Sequence, residues 1–149
     1  MGNICRSPTA EAVMAKLVRE AGLADEVVLD SAGTGGWHAG ERADARARAA
    51  AVKRGIDITH RARQLVMADF DNFDLVVVMD RANLDHVRRM AEGRDRPVVR
   101  LLRSYDPLAS EGAEVPDPYG GGANDFDEVL DQCERACRGL IDHMRAGKR

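Results

Sequence analysis

The sequence contains few aromatic residues and no long hydrophobic run, and each shortage excludes a class of protein. Aromatic residues make up 4% of the 149 residues, and the longest apolar run covers only residues 75–79. A membrane-spanning helix needs roughly 20 apolar residues, so we expect no membrane contact. The N-terminus lacks the charged and apolar regions of a signal peptide, which favours a cytoplasmic protein.

The chain also lacks a marked excess of either charge. It carries 22 basic and 25 acidic residues, for a formal net charge of −3. Nucleic-acid-binding domains concentrate positive charge, so this balance argues against nucleic acid as a partner. The length is typical of one domain, and we predict a single domain over residues 1–149.

Cysteine is scarce, with three residues at Cys5, Cys133 and Cys137. A small, odd number argues against a disulfide framework. Cys133 and Cys137 stand four residues apart on a predicted helix, which indicates small apolar side chains on one buried face. A metal site would need further ligands near them, and the sequence has none there, so we predict no metal.

Helix-like and strand-like segments alternate, which predicts an α/β domain with a parallel sheet flanked by helices. Predicted helices run from Ser7-Pro8 to Gly22 and over residues 43–53, 81–91 and 125–145. Predicted strands cover residues 27–29, 75–79 and 97–102. Such a fold usually begins with a strand, whereas this chain begins at a loop. We therefore expect a Rossmann-like, four-stranded parallel sheet whose first strand is missing from the chain as given.

The first loop has the composition of an anion-binding site. Residues 2–7 precede a helix N-terminus, where backbone N–H groups and the helix dipole together bind a tetrahedral anion. Arg6 can add a bidentate clamp on phosphate oxygens. The alternative is a plain loop with a surface arginine. The Ser7-Pro8 pair predicts a helix start directly after the loop, which makes residues 2–8 a more specific signal of an anion-binding site.

The string from Gly2 to Pro8 resembles the loop Cys-x-Gly-Asn-x-Cys-Arg-Ser-Pro of the low-molecular-weight protein tyrosine phosphatases. The resemblance implies a phosphotyrosine phosphatase that works through a phosphocysteine, without metal or cofactor. It implies Arg6 as a catalytic residue and the following loop residues as the substrate-binding set: Gly2, Asn3, Ile4, Cys5 and Ser7.

The same resemblance places the nucleophilic cysteine one position before Met1, outside the chain as given. Cys5 matches the second cysteine of the family loop, which stands next to the arginine. It therefore cannot occupy the floor of the loop, a position separated from Arg6 by five residues, and we expect it to take no direct part in catalysis.

The general acid is expected from the glycine- and proline-rich loop over residues 105–124. Asp117-Pro118-Tyr119 is similar to the family's Asp-Pro-aromatic loop, which implies Asp117 as the acid and Tyr119 as part of the wall around the substrate ring. Asp106-Pro107 is a competing pair without a following aromatic residue. Gly120 stands where many members have a second aromatic residue, which indicates a more open or mobile rim.

Further resemblances extend along the chain. Ser31 and His60 match residues that support the family's anion loop, and Trp37 matches a wall residue of bacterial members. Asp80 lies in a Met-Asp-x-x-Asn-Leu string of the family. Taken singly, these residues would more often be surface, core or capping residues, and only their order and spacing favour the functional interpretation.

The resemblance implies a phosphotyrosine protein as substrate, either a bacterial tyrosine kinase or a host protein. A thioredoxin-coupled arsenate reductase shares the loop but needs relay cysteines, and residues 81–96 contain none. A non-catalytic phosphate or phosphotyrosine binder is the second alternative, because the chain taken literally has no nucleophile at the expected place.

Overall fold

The computed structural model describes residues 2–147, and most of their regular structure is helical. The helices are α1 (Arg6–Glu20), α2 (Ala45–Val52), α3 (Asp69–Asn72), α4 (Arg81–Met90) and α5 (Ala123–Arg145). The strands are β1 (Leu75–Val78) and β2 (Val98–Leu101), and a 3₁₀ turn covers Leu102–Tyr105. None of the helices in this described part has the length and apolar character that a membrane crossing requires.

The two strands form a parallel pair joined through α4. Leu75 pairs with Val98 and the register continues to the pair Val78 and Leu101. Valine dominates both strands because a β-branched side chain packs well on a pleated surface. The strands predicted near residues 75–79 and 97–102 are confirmed, and the α/β class with them.

The predicted strand at residues 27–29 is wrong. This segment has no strand pairing, and the Val28 side chain is 82% exposed. The described residues thus form a sheet of two strands. A strand persists only where its backbone N–H and C=O groups find partners on a neighbour, and within residues 2–147 no strand lies between residues 27–29 and β1.

A cavity of about 900 Å³ occupies that place between the two segments. Residues 26–34 line one side, and residues 72–79 line the other. Met14 of α1 and Leu140 of α5 contribute apolar side chains to its wall, and it extends as far as Gly2. Because β1 borders this cavity, its first three residues are only half-buried, although an uninterrupted apolar run is typical of a strand buried on both faces.

The main core lies between α1 and α5. Val13 and Leu17 of α1 are buried with Leu130, Cys133 and Cys137 of α5. Fully burying a side chain such as leucine or valine contributes about 1.5–3 kcal/mol, so this contact is a main source of stability. The two cysteines are packed as small apolar side chains, as the sequence predicted, and burial raises the pKa of both thiols.

The close packing of α5 predicts a stability effect at Gly139. An added Cβ would lie 1.8 Å from the backbone oxygen of Tyr105. Alanine normally favours a helix by about 1 kcal/mol over glycine, but a clash with backbone outweighs that gain. We expect Gly139→Ala to lower the free energy of unfolding by about 1–3 kcal/mol in urea titrations. Arg138→Ala, one residue earlier on the exposed face, is the control and should change it by less than about 0.5 kcal/mol.

Candidate active site

The loop before α1 is shaped by Asn3. Its φ is 64°, the left-handed region, and it is the one non-glycine residue with positive φ among residues 2–147. Its side-chain Nδ2 donates to Ser7 Oγ at 2.8 Å and to Ser31 Oγ at 3.1 Å. Its Oδ1 lies 2.8 Å from His60 Nε2 and accepts the Arg63 N–H at 3.0 Å. Asparagine tolerates this conformation better than most residues, and these contacts hold it there.

Helix α1 begins two residues earlier than the sequence predicts, since the pattern indicates Ser7 as its cap and Pro8 as its first residue. Arg6 is its first residue and Cys5 its N-cap, which makes no side-chain capping bond. The Ser7 hydroxyl accepts from Asn3 instead of capping the helix. The start of α1 therefore has no capping side chain to compete with an anion for its N–H groups.

A second layer of side chains supports the loop through Ser31 and His60. Ser31 Oγ donates to Glu11 Oε1 at 2.7 Å. His60 Nδ1 lies 3.2 Å from Glu11 Oε1 and 3.5 Å from Asp30 Oδ1. Sequence reasoning did not identify Glu11 or Asp30, although Glu11 stands four residues after Ser7 on the same helix face.

Glu11, Asp30 and His60 also form the one group of potential metal ligands in the described chain, with ligand atoms within 4.8 Å of one another. Their contacts with Ser31 and Asn3 already account for their arrangement.

Arg6 is almost completely buried, with 4% of its surface exposed. Its Nη1 donates to Asp80 Oδ2 at 2.7 Å and to the Val115 oxygen at 2.9 Å. Burial by itself would raise the pKa of Asp80, but hydrogen bonds from the Asn83 N–H and Arg6 outweigh it and hold that pKa below its usual value. Asp80 is therefore ionised at neutral pH, caps α4 and fixes the guanidinium at the end of the anion loop.

Cys5 is buried at the base of the same site. Burial raises the pKa of its thiol to about 12, and the carboxylates of Asp44 and Asp117 add to the effect. A thiol with such a pKa stays protonated at neutral pH, whereas a nucleophilic cysteine needs a lowered pKa. A buried, protonated thiol of this kind is poorly suited to act as a nucleophile.

Aromatic side chains form the rim. Trp37 is 64% exposed and Tyr119 is 51% exposed. The His38 ring lies between them, with centroid distances of 6.3 Å to Trp37 and 6.5 Å to Tyr119. His38 also packs against the backbone of Gly2, where an added Cβ would lie 2.5 Å from its Cδ2. Close approach of the imidazole therefore requires a small residue at Gly2.

The structure separates the two candidate acids. Asp117 lines the same cavity as Cys5 and Tyr119, and its Oδ1 accepts the Tyr119 N–H at 3.0 Å. Asp106 is buried elsewhere, with Oδ2 at 3.3 Å from Arg135 Nε and 3.6 Å from Arg103 Nε. Asp106 is thus a structural carboxylate, and Asp117 is the one placed at the site.

The predicted site residues converge on one end of the cavity. Those that line it are Gly2, Asn3, Ile4, Cys5, Arg6, Ser7, Ser31, Trp37, Asp117 and Tyr119. His60 lies behind this lining and contacts it through Asn3. A buried arginine and a helix N-terminus at the base, with a carboxylate and aromatic rings at the rim, form the arrangement of a phosphate-ester site.

Comparisons with known proteins agree with this geometry. The family described as low molecular weight phosphotyrosine protein phosphatase matches residues 1–149. The low molecular weight protein-tyrosine-phosphatase of Streptomyces coelicolor is 50% identical over 146 residues, which are 97% of this chain and 89% of that protein. The low molecular weight phosphotyrosine protein phosphatase of Sus scrofa is 40% identical over 147 residues, 97% of this chain and 92% of that one.

A crystal structure of the protein tyrosine phosphatase from Entamoeba histolytica, with Hepes in its active site, superposes with a TM-score of 0.94. It is 37% identical in sequence, and the match covers 99% of this chain and 94% of that one. The fold and the anion loop thus define an α/β phosphatase. This chain belongs to the low molecular weight phosphotyrosine protein phosphatase family, which confirms the resemblance and the enzyme class.

The state of Cys5 predicts low reactivity. With a pKa of about 12 instead of the ordinary 9.0, its thiolate fraction at pH 7.5 falls by roughly 1,000-fold. We expect almost no labelling of Cys5 by iodoacetamide in the folded protein, measured by peptide mass spectrometry. Labelling in guanidinium chloride, where all three cysteines should react, is the control. Rapid native labelling of Cys5 would contradict this assignment.

Proposed function

We propose that this protein hydrolyses phosphotyrosine in proteins through a phosphocysteine intermediate, and that the nucleophile is a cysteine directly before Met1. The observation that carries the proposal is the N-terminus of α1, where no side chain caps the helix and Asp80 holds the buried Arg6 in place. That site suits a phosphoryl group, while Trp37 and Tyr119 at the rim suit an aromatic ring.

The chemistry follows from these positions. The thiolate attacks phosphorus, so that a sulfur–phosphorus bond forms and the bond to the tyrosine oxygen breaks. Asp117 donates its proton to the departing phenolate. Asp117 then takes a proton from water, which attacks phosphorus, breaks the sulfur–phosphorus bond and releases phosphate. Arg6 and the loop N–H groups stabilise the negative charge on the phosphoryl oxygens in both steps.

The cavity supports the position proposed for the nucleophile. A strand that entered it between residues 27–34 and β1 would lead directly into Gly2. It would pair with residues 27–34 on one side and with β1 on the other. Together with β2, these segments would form the four-stranded parallel sheet expected from the sequence. Its last residue would stand under the loop N–H groups, where a thiolate is stabilised.

We propose cytoplasmic phosphotyrosine proteins as the substrates, either a bacterial tyrosine kinase or a host protein. The exposed Trp37 and Tyr119 rings leave the rim open, so a tyrosine on a large protein can enter. No step of the reaction calls for a metal or a cofactor, because Arg6 and the helix terminus supply the positive charge.

The identity of the nucleophile is tested by measuring the hydrolysis of p-nitrophenyl phosphate with two forms of the protein, the 149-residue chain and an N-terminally extended chain. We expect hydrolysis by a chain extended with an apolar strand that ends in cysteine. A Cys→Ser change in that extension should reduce kcat/KM by about 10⁴-fold or more. An extended protein that is folded but inactive would refute the mechanism, as would full activity of the 149-residue chain.

The 149-residue chain itself tests anion binding. Trp37 is the one tryptophan of the sequence and stands at the rim, so its fluorescence should change on titration with inorganic phosphate. Binding without turnover in both forms would favour the alternative of a non-catalytic phosphate binder.

The role of Asp117 as the general acid is tested with aryl phosphates whose leaving groups differ in basicity. In the extended protein, Asp117→Asn should lower kcat/KM for phenyl phosphate by about 10²–10⁴-fold. The loss should be much smaller for an ester whose phenolate leaves unaided. Asp106→Asn is the matched control, because its carboxylate is buried away from the site. It should lower the melting temperature and leave the dependence on the leaving group unchanged.

A further inference from the structure

Arg46, near the start of α2, connects two parts of the site that are distant in sequence. Its guanidinium carbon lies 5.4 Å from the centre of the Tyr119 ring and 4.8 Å from that of Phe126. Its Nη1 donates to the Gly121 oxygen at 3.4 Å. One side chain of α2 thus contacts the wall residue, the segment after it and the first turn of α5.

The guanidinium is held from the other side by Asp44. Its Nε lies 3.1 Å from Asp44 Oδ1 and its Nη2 lies 2.9 Å from Asp44 Oδ2, a bidentate pair. Asp44 caps α2 through the Arg46 N–H at 2.8 Å, and its own N–H donates to the Ile4 oxygen at 2.8 Å. A chain of contacts therefore runs from the anion loop through Asp44 and Arg46 to Tyr119.

The segment that Arg46 contacts is otherwise held mainly by local hydrogen bonds, from the Gly121 N–H to the Pro118 oxygen and from the Gly122 N–H to Asp125 Oδ2, both at 2.8 Å. Three glycines occupy residues 120–122, all of them exposed. Glycine loses more conformational freedom on ordering than any other residue, so the segment needs external contacts to keep one position. Asp117 stands two residues before Tyr119 on the same exposed loop, and its reach depends on where that loop rests.

A surface ion pair between Asp44 and Arg46 alone would contribute little. The arrangement here differs because the bidentate pair orients a planar cation whose remaining surface meets two aromatic rings and a carbonyl oxygen. Lysine has a compact charge and cannot form both sets of contacts at once. The contacts therefore depend on the shape of arginine as well as on its charge.

We propose that Arg46 is a positioning residue that docks residues 117–122 against the anion loop, so that Asp117 reaches the leaving oxygen and Tyr119 stands as the wall. This rests on the proposed role of Asp117 as general acid. Small displacements of a catalytic group cost large factors in rate, so a docked loop raises the rate of the acid-dependent step.

Docking itself is measured without any chemistry, by hydrogen exchange in the 149-residue chain. Arg46→Gln should speed exchange of the backbone amides in residues 117–122 by about 5-fold or more. Arg46→Lys should give an intermediate increase. Arg48→Gln is the matched control, because Arg48 lies on the same helix and donates to the Ala43 oxygen instead. It should leave exchange in this segment unchanged.

The consequence for the acid is measured in the extended protein. Arg46→Gln should lower kcat/KM for phenyl phosphate by about 10-fold, and by clearly less for an activated aryl phosphate. Arg46→Lys should recover part of the loss, and Arg48→Gln should show none.

Unchanged exchange in residues 117–122 of Arg46→Gln would overturn the proposal. An equal loss of kcat/KM for both esters would also overturn it, since that pattern reports phosphate binding and not acid positioning. If the extended parent hydrolyses neither ester, the proposed function fails. Faster exchange in Arg46→Gln would then still support the docking contact.

Discussion

The side-chain amide of Asn3 organises the anion loop, and the rest of the site depends on that loop. The amide makes hydrogen bonds with four residues: Ser7 of α1, Ser31, His60 and Arg63. A left-handed non-glycine residue costs about 1–2 kcal/mol, while each hydrogen bond contributes about 0.5–1.5 kcal/mol. Several bonds together therefore outweigh the strain, and the loop is held with the start of α1 uncapped.

The site divides into a buried base and an exposed rim. Arg6 at the base is buried, and its contacts with the ionised Asp80 and the Val115 oxygen hold it in place. Trp37 and Tyr119 at the rim expose more than half of their surface and lie on loops. A phosphoryl group has one geometry, whereas a tyrosine arrives on proteins of many shapes. A buried base with an open rim is suited to that combination.

The sheet shows that a local sequence pattern alone does not decide whether a segment forms a strand. Residues 27–29 have the same apolar, β-branched character as residues 75–78, yet only the latter form a strand. Strand formation needs hydrogen-bonding partners from elsewhere in the chain, and β1 obtains them from β2. Helices contain their own hydrogen bonds, so α1, α2, α4 and α5 follow the sequence prediction to within a few residues. The short α3 had no periodic pattern long enough to be predicted.

The sequence by itself determined what depends on neighbouring residues. It determined the helix stop at Gly22, where φ is 74°, the strand–helix–strand unit, and the anion-loop string that indicates the family. Only the tertiary structure placed Asp117 in the lining of the cavity and Asp106 in a buried ion pair, joined Arg6 to Asp80, and brought Arg46 to Tyr119. These residues lie far apart along the chain, and their contacts depend on how helices pack. No local periodicity or spacing encodes such packing, because it is set by the complementary surfaces of the whole core.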